Sequence, residues 1–162
     1  MNGGTDETLL HMAREWAISQ DTAFHRFFDI STEDTAWLKA ANDRDLLKLS
    51  QLPASAFGVV LRLREDGSAD RHLLNAPSVV QIVGVLSEIR EGLLASKMQT
   101  QIYWNIKDDD ADWLITSLPT QRRQMAALGR IQFVIRTGHL RQRVEPYSEP
   151  ALHRFMRFLH VS

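Results

Sequence analysis

The sequence predicts a mainly α-helical fold of two similar units, residues 1–76 and 77–162, packed together as an internal pseudo-dimer. Apolar residues recur at steps of three and four over long stretches, which is helical spacing. The stretches TEDTAWLKAANDRDLLKLSQLPASAF (32–57) and DDDADWLITSLPTQRRQMAALGRIQF (108–133) carry the same Trp-Leu pair after the same acidic lead, with the tryptophans 76 positions apart (113 − 37 = 76). With 162 residues, 44% of them hydrophobic, and no cysteine, a buried core must hold the chain, since neither a disulfide framework nor a cysteine zinc site is available.

The elements follow in order. ETLLHMAREWAISQDTAFHRFF (7–28) sets apolar residues at 9, 12, 13, 16 and 17 along one face of a long helix. Ser31 reads as the N-cap of the next helix, with Asp34 three residues on in the manner of a capping box, before Trp37 and Leu38 turn inward. Asn42 or Asp43 ends or restarts that helix, and RDLLKLSQL forms another, stopped by Pro53. The second unit repeats the plan, with a long amphipathic helix over 78–100 and shorter ones over 108–118 and 119–129. Helix, tight turn, helix at this scale suits a helix-turn-helix. After each trio, FGVVLRLREDGSADRHLL and FVIRTGHLRQRV join β-branched runs to Asp-Gly and Thr-Gly turn signals, so a short β-hairpin competes with a fourth helix. A helix is expected after Phe57; after Phe133 both readings stay open. SEPALHRFMRFLHVS (148–162) reads as a closing helix with Leu152, Phe155, Met156 and Leu159 on one face.

The 76-residue offset runs on without a gap. Phe27 and Phe28 fall on Tyr103 and Trp104, Ile30 on Ile106, Glu33 and Asp34 on Asp109 and Asp110, and Leu38 on Leu114. Leu49 falls on Met125, Leu52 on Leu128, Phe57 on Phe133 and Val59 on Ile135. Matches at apolar and capping positions are what a duplicated fold keeps while its surface diverges. The shared aromatics are therefore expected in the core rather than stacked on bases, with Trp37 and Trp113 largely buried.

Charge separates the two ends. Residues 1–112 hold 11 basic and 18 acidic side chains, whereas residues 113–162 hold 8 basic, all arginine, and 2 acidic. Between Trp113 and Val144 stand Arg122, Arg123, Arg130, Arg136, Arg141 and Arg143, with His139 and no carboxylate. A guanidinium takes two phosphate oxygens or both acceptors of a guanine edge, so such a cluster is an electrostatic footprint for nucleic acid. Gln121, Arg122, Arg123 and Gln124 would open the second helix of the helix-turn-helix, where a recognition helix makes its contacts. The competing role for these arginines is pairing within the chain or with a partner.

Other chemistry is sparsely represented. DDDAD offers carboxylates for a hard cation, but it precedes a helix whose dipole favours negative charge, so capping is expected and no metal. The six histidines show no HExxH spacing, and no GxSxG, glycine-rich phosphate loop or paired-carboxylate pattern occurs. Neither an enzyme nor a cofactor is expected. MNGGTDETLL lacks a basic region followed by an apolar run, and no segment reaches the ~20 apolar residues of a membrane span, so the expected location is the cytoplasm with no membrane partner.

Residues 12–63, MAREWAISQDTAFHRFFDISTEDTAWLKAANDRDLLKLSQLPASAFGVVLRL, resemble FlhD, the helical subunit of the bacterial flagellar master activator. The likeness lies in the Ala-Arg start of the long helix, the phenylalanines before ISTED, the Leu of WL, the LLKL of the next helix and the Arg near the end. Residues 85–136 look like the same pattern again. The resemblance implies an all-helical protein that dimerises through intertwined helices and assembles with FlhC, a zinc-containing subunit, on promoter DNA, with RNA polymerase as a further partner. Related pairs switch on conjugative transfer of plasmids and integrative elements. Two departures matter: relatives can carry an intersubunit disulfide where this chain has no cysteine, and the chain is too long for one copy. A tandem pair would imitate the family dimer in one polypeptide. On that basis the expected function is a transcriptional activator subunit working with an FlhC-like partner, its DNA contacts carried by Gln121, Arg122, Arg123, Gln124, Arg130, Arg136, Arg141 and Arg143. The competing class is an interaction module without DNA binding, such as an antiactivator that sequesters a regulator through its acidic half.

Overall fold

The computed structural model describes residues 2–63, 70–136 and 140–144. Over these residues the chain is mainly helical, with a small three-stranded sheet. The first part runs α1 (Asn2–Ser19), α2 (Thr22–Phe27), β1 (Phe28–Asp29), α3 (Thr32–Ala40), α4 (Asp43–Ser50) and β2 (Phe57–Leu61). After the short α5 (Arg71–Leu74) come α6 (Pro77–Ala95), α7 (Lys97–Trp104), α8 (Asp108–Thr116), α9 (Pro119–Ala127), β3 (Ile131–Ile135) and α10 (Leu140–Val144). The expected closing helix at 148–162, and the Asp66-Gly67 and Thr137-Gly138 turn signals, lie outside the described residues.

Local signals set the starts of α3, α4 and α9. Ser31 Oγ accepts from the Asp34 N–H at 3.2 Å and donates to the Asp34 carboxylate at 3.1 Å. At α4, Asn42 and Asp45 form a reciprocal capping box, with the Asp45 N–H donating to Asn42 Oδ1 at 2.9 Å. Pro119 opens α9, where a missing N–H costs nothing, and the Leu118 N–H donates to Gln121 Oε1 at 2.8 Å. Both long helices expected from periodicity are broken. Gln20 sits at φ 56° and Asp21 recaps the chain through the Ala23 N–H at 2.9 Å, which swings Phe24 and Phe27 into the core. In the second part Ser96 is extended (φ −156°, ψ 94°), and the restart at Lys97 brings Thr100, Tyr103 and Trp104 inside.

The helix expected after Phe57 is instead strand β2, and no hairpin forms around it among the described residues. Pro53 prevents α4 from continuing, and a five-residue apolar run is too short to nucleate a helix of its own. Its backbone groups are satisfied by β3, antiparallel, in the register Phe57↔Ile135, Gly58↔Val134 and Val59↔Phe133. β1 adds to the other side of β3 in parallel, giving the order β1-β3-β2. The ladder contains the pair Gly58 and Val134, which are 76 positions apart (134 − 58 = 76). α3 and α8 also start and end 76 residues apart, and α1 and α6, α2 and α7, and α4 and α9 start within one residue of that offset.

The register gives a direct test. Facing residues of an antiparallel pair have Cα atoms about 4.5–5.5 Å apart, within the span of a disulfide. A Cβ built on Gly58 would lie 3.4 Å from Val134 Cγ2. The double variant Gly58→Cys/Val134→Cys is therefore expected to close one intramolecular disulfide on mild oxidation, with no native thiol competing. Free-thiol titration and non-reducing electrophoresis check it. Persistence of two free thiols in the folded variant would displace this register.

The core is one apolar mass. Phe28 touches Phe57 and Phe133, each with ring centroids 5.6 Å away, and Phe24 stacks on Phe28 at 5.5 Å. α1 packs on α3, α4 and α6, while α6 packs on α7, α8 and α9. At Gly3 a Cβ would stand 2.9 Å from the Ser50 carbonyl oxygen, so glycine lets α1 approach the end of α4. Leu38 and Leu114 are both fully buried, as are Phe57 and Phe133, and Tyr103 and Trp104 lie inside as Phe27 and Phe28 do. Trp37 and Trp113 are only half-buried, packed on the core's edge rather than inside it.

Candidate nucleic-acid interface

The α8 and α9 helices are joined by Ser117 and Leu118 alone, a tighter link than the three or four residues usual in a helix-turn-helix. Arg122, expected on the outer face of α9, is 5% exposed. Its Nη1 donates to the Ser117 carbonyl at 2.6 Å and to Ser117 Oγ at 3.1 Å, so it clasps this turn from inside. Burial and the neighbouring Arg90 guanidinium push its pKa down, with Glu91 opposing. Arg123 Nε donates to the Leu74 carbonyl at 2.9 Å, tying α9 to the end of α5.

The remaining predicted residues separate. Gln121 is exposed beyond its capping bond, and Gln124 is half-buried. Arg130 is buried below the turn that Gly129 makes at φ 69°, a conformation glycine alone adopts without strain. Arg136 Nη1 donates to the Tyr103 carbonyl at 3.0 Å and Arg143 Nη1 to the Ser55 carbonyl at 3.1 Å, so these two gather at one corner, away from the α8–α9 turn in their contacts. Burial and the nearby Arg143 charge lower the pKa of Arg136. Arg141 is exposed on α10. His139 lies outside the described residues.

That corner contains a buried polar cluster the sequence did not announce. Asp6, fully buried on α1, accepts from Ser55 Oγ, and the same oxygen of Ser55 accepts from the Phe57 N–H at 3.0 Å. The other Asp6 oxygen and the Tyr103 hydroxyl are buried without a hydrogen-bond partner in the structure. Burial raises the Asp6 pKa to about 7 against the opposing pull of Ser55 and Arg143. Burial, and then the charge of Asp6, push the Tyr103 phenol above its ordinary range. One signal was available: Tyr103 falls on Phe27 in the 76-residue register, and a hydroxyl added at a core position needs a reason.

The acidic leads also have structural partners. Asp34 Oδ1 accepts from the Leu140 N–H at 2.9 Å and Asp110 Oδ2 from the Leu61 N–H at 3.4 Å, so each buried carboxylate reaches a backbone group distant in sequence. Burial raises the Asp110 pKa, and the Leu61 bond opposes this. Among the described residues no group of three or more histidines and carboxylates stands close enough together to hold a metal ion, and no helix is long and apolar enough to cross a membrane. Comparisons with protein-family models, curated proteins and solved structures find no match to this chain.

Proposed function

We propose that the chain is an FlhD-like subunit of a transcriptional activator, a tandem duplication whose halves, 1–76 and 77–162, pack as an internal pseudo-dimer and act on promoter DNA with an FlhC-like partner. The observation that carries the proposal is the β2–β3 register. Phe57 pairs with Ile135, Gly58 with Val134 and Val59 with Phe133, so exchanging each of these residues for the one 76 positions away returns the same three pairs, while Val60↔Gln132 and Leu61↔Ile131 extend the ladder at one end only. A self-complementary contact of this kind is the mark of a two-fold interface, here within one polypeptide. The Asp34 and Asp110 bonds, each leading from one half into the other, support the same reading.

The DNA-facing role falls to Gln121, Arg123, Gln124 and Arg141, which retain exposed surface. Arg122 and Arg130 serve the fold, and Arg136 and Arg143 each commit one nitrogen to a carbonyl. So few outward cations beside an acidic first half bind phosphate weakly. The FlhC-like partner supplies most of the contact, with RNA polymerase recruited by the assembly. An electrophoretic shift at physiological salt tests this: the co-purified pair retards promoter DNA and the chain alone does not. In the pair, Arg123→Ala is expected to weaken all sequences alike and reduce the salt slope by about 1, as loss of one phosphate contact does. Equal DNA affinity with and without the partner would remove the assembly from the reading.

The second reading is an interaction module that does not touch DNA, such as an antiactivator. It is favoured by the internal bonds of Arg122, Arg123, Arg136 and Arg143. Its expected result is a stable protein complex that leaves DNA unshifted.

A further inference from the structure

We infer that the surface running from the last turns of α6 onto α7 docks a basic amphipathic helix of the partner subunit; that this partner is FlhC-like rests on the reading above. Three large apolar side chains stand in solvent there, Leu94 at 51% exposure, Met98 at 74% and Ile102 at 62%. Met98 and Ile102 are one turn apart and share a face of α7. Single exposed apolar residues need no explanation, but Met98 and Ile102 stand together on one face of α7, directly after Leu94 on the last turn of α6. The fold does not demand it. The positions 76 residues earlier, on α2, are Thr22 and Arg26, and α2 forms with those polar residues in place.

The last turns of α6 and the start of α1 also enclose an open, mainly apolar groove of about 520 Å³. Gly4, Thr5, Gly92 and Ala95 line it together with Glu88 and Glu91. A Cβ on Gly4 would meet nothing within 4 Å, so among the described residues none fills this space. The charge of the surroundings selects the occupant. Glu88 accepts from Thr5 Oγ1 at 2.7 Å, and Glu91, largely exposed, is paired with Arg90 at 3.5 Å. At the far end α8 packs on α7 and exposes Asp108 and Asp109, with Gln101 Nε2 donating to Asp108 at 2.8 Å. Lys97 is already held by Asp112 at 2.6 Å. Acidic groups outnumber basic ones at both ends of the apolar strip, Glu88 and Glu91 against Arg90 and Asp108, Asp109 and Asp112 against Lys97 and Lys107, and this excess matches a helix carrying lysine or arginine around apolar anchors. A second copy of this chain would bring acid against acid.

The test replaces the two anchors by the residues the chain itself uses at the corresponding places, Met98→Thr/Ile102→Arg, and measures binding of full-length protein to the co-expressed FlhC-like subunit. Because α2 folds with Thr22 and Arg26, the variant is expected to keep its helical circular dichroism and its melting temperature within a few degrees. Its affinity for the partner should fall about thirtyfold or more, the loss expected of a hot-spot anchor. If the wild-type chain binds the partner and the variant binds equally well, the docking surface is wrong while the FlhD-like reading stands. If the wild-type chain does not bind the partner, that reading falls and takes this occupant with it. Concentration-dependent dimerisation of the wild type, abolished in the variant, would assign the surface to a second copy and overturn the proposal.

Discussion

Replacing Asp6 by Asn is expected to make the protein more stable than wild type at pH 8, with the advantage shrinking towards pH 5. The Asp6 carboxyl has its pKa raised to about 7 in the folded chain, above the ordinary value of 3.8 that it regains on unfolding. Folding therefore favours the protonated form. The stabilisation from holding that proton is full below pH 3.8, diminishes as pH rises towards 7 and is gone above it. Between pH 5 and pH 8 the loss is on the order of 2–3 kcal/mol, from ~1.4 kcal/mol per pKa unit. Solvent screening takes little away, because Asp6 is fully buried. Asn keeps the shape and an oxygen for Ser55 Oγ without the charge. Urea unfolding of both proteins at several pH values checks this, and parallel stability curves across that range would show that Asp6 is not the buried acid described.

Truncating Phe133 to Ala should cost about 3–5 kcal/mol, the range for deleting a fully buried aromatic and leaving a cavity. Phe133 is fully buried in β3, with ring centroids 5.6 Å from Phe28 and 6.3 Å from Phe57, so the cavity opens where the sheet meets the helices. Trp113→Ala removes a larger side chain and should nonetheless cost less, because Trp113 is half-buried at the edge of the core. Against a typical total stability of about 5–15 kcal/mol, the Phe133 variant would be close to unfolding at body temperature. Guanidinium denaturation of the pair ranks them, and a larger loss for Trp113→Ala would reverse the placement of the core.

Helix starts were legible at Ser31 and Asn42, where a side chain reaches its own backbone three residues on, but not at Asp21, whose cap lies inside a run of helical periodicity. Ser31, Asn42 and Pro119 announce helices through contacts that span three residues or none, and the same holds for the inward positions of α3 and α8. The breaks at Gln20 and Ser96 were not legible, since helical periodicity persists across both and only the packing of Phe24 and Tyr103 favours a bend. The candidate site was legible as composition and not as geometry. An acid-free run of arginines is visible in a string of letters, but the acceptors of Arg122, Arg123, Arg136 and Arg143 are backbone carbonyls, which every residue possesses and no residue type advertises.

By itself, then, the sequence determined a mainly helical chain, its caps, its apolar faces and its separation of charge, because each depends on residues within a turn or two of one another. The tertiary structure alone decided that the apolar run after Phe57 is a strand. Five residues of this kind suit either conformation, and the choice falls to the partner that satisfies their N–H and C=O groups, β3, more than seventy positions along the chain. It likewise decided which charges went inside. Asp34 and Asp110 read as capping acids and Arg122 as a DNA contact, while nothing in the sequence singles out Asp6; each is buried because the fold brings distant segments together around it: Ser55 to Asp6, the Leu140 and Leu61 amides to Asp34 and Asp110, and α6, with Arg90 and Glu91, against Arg122 on α9.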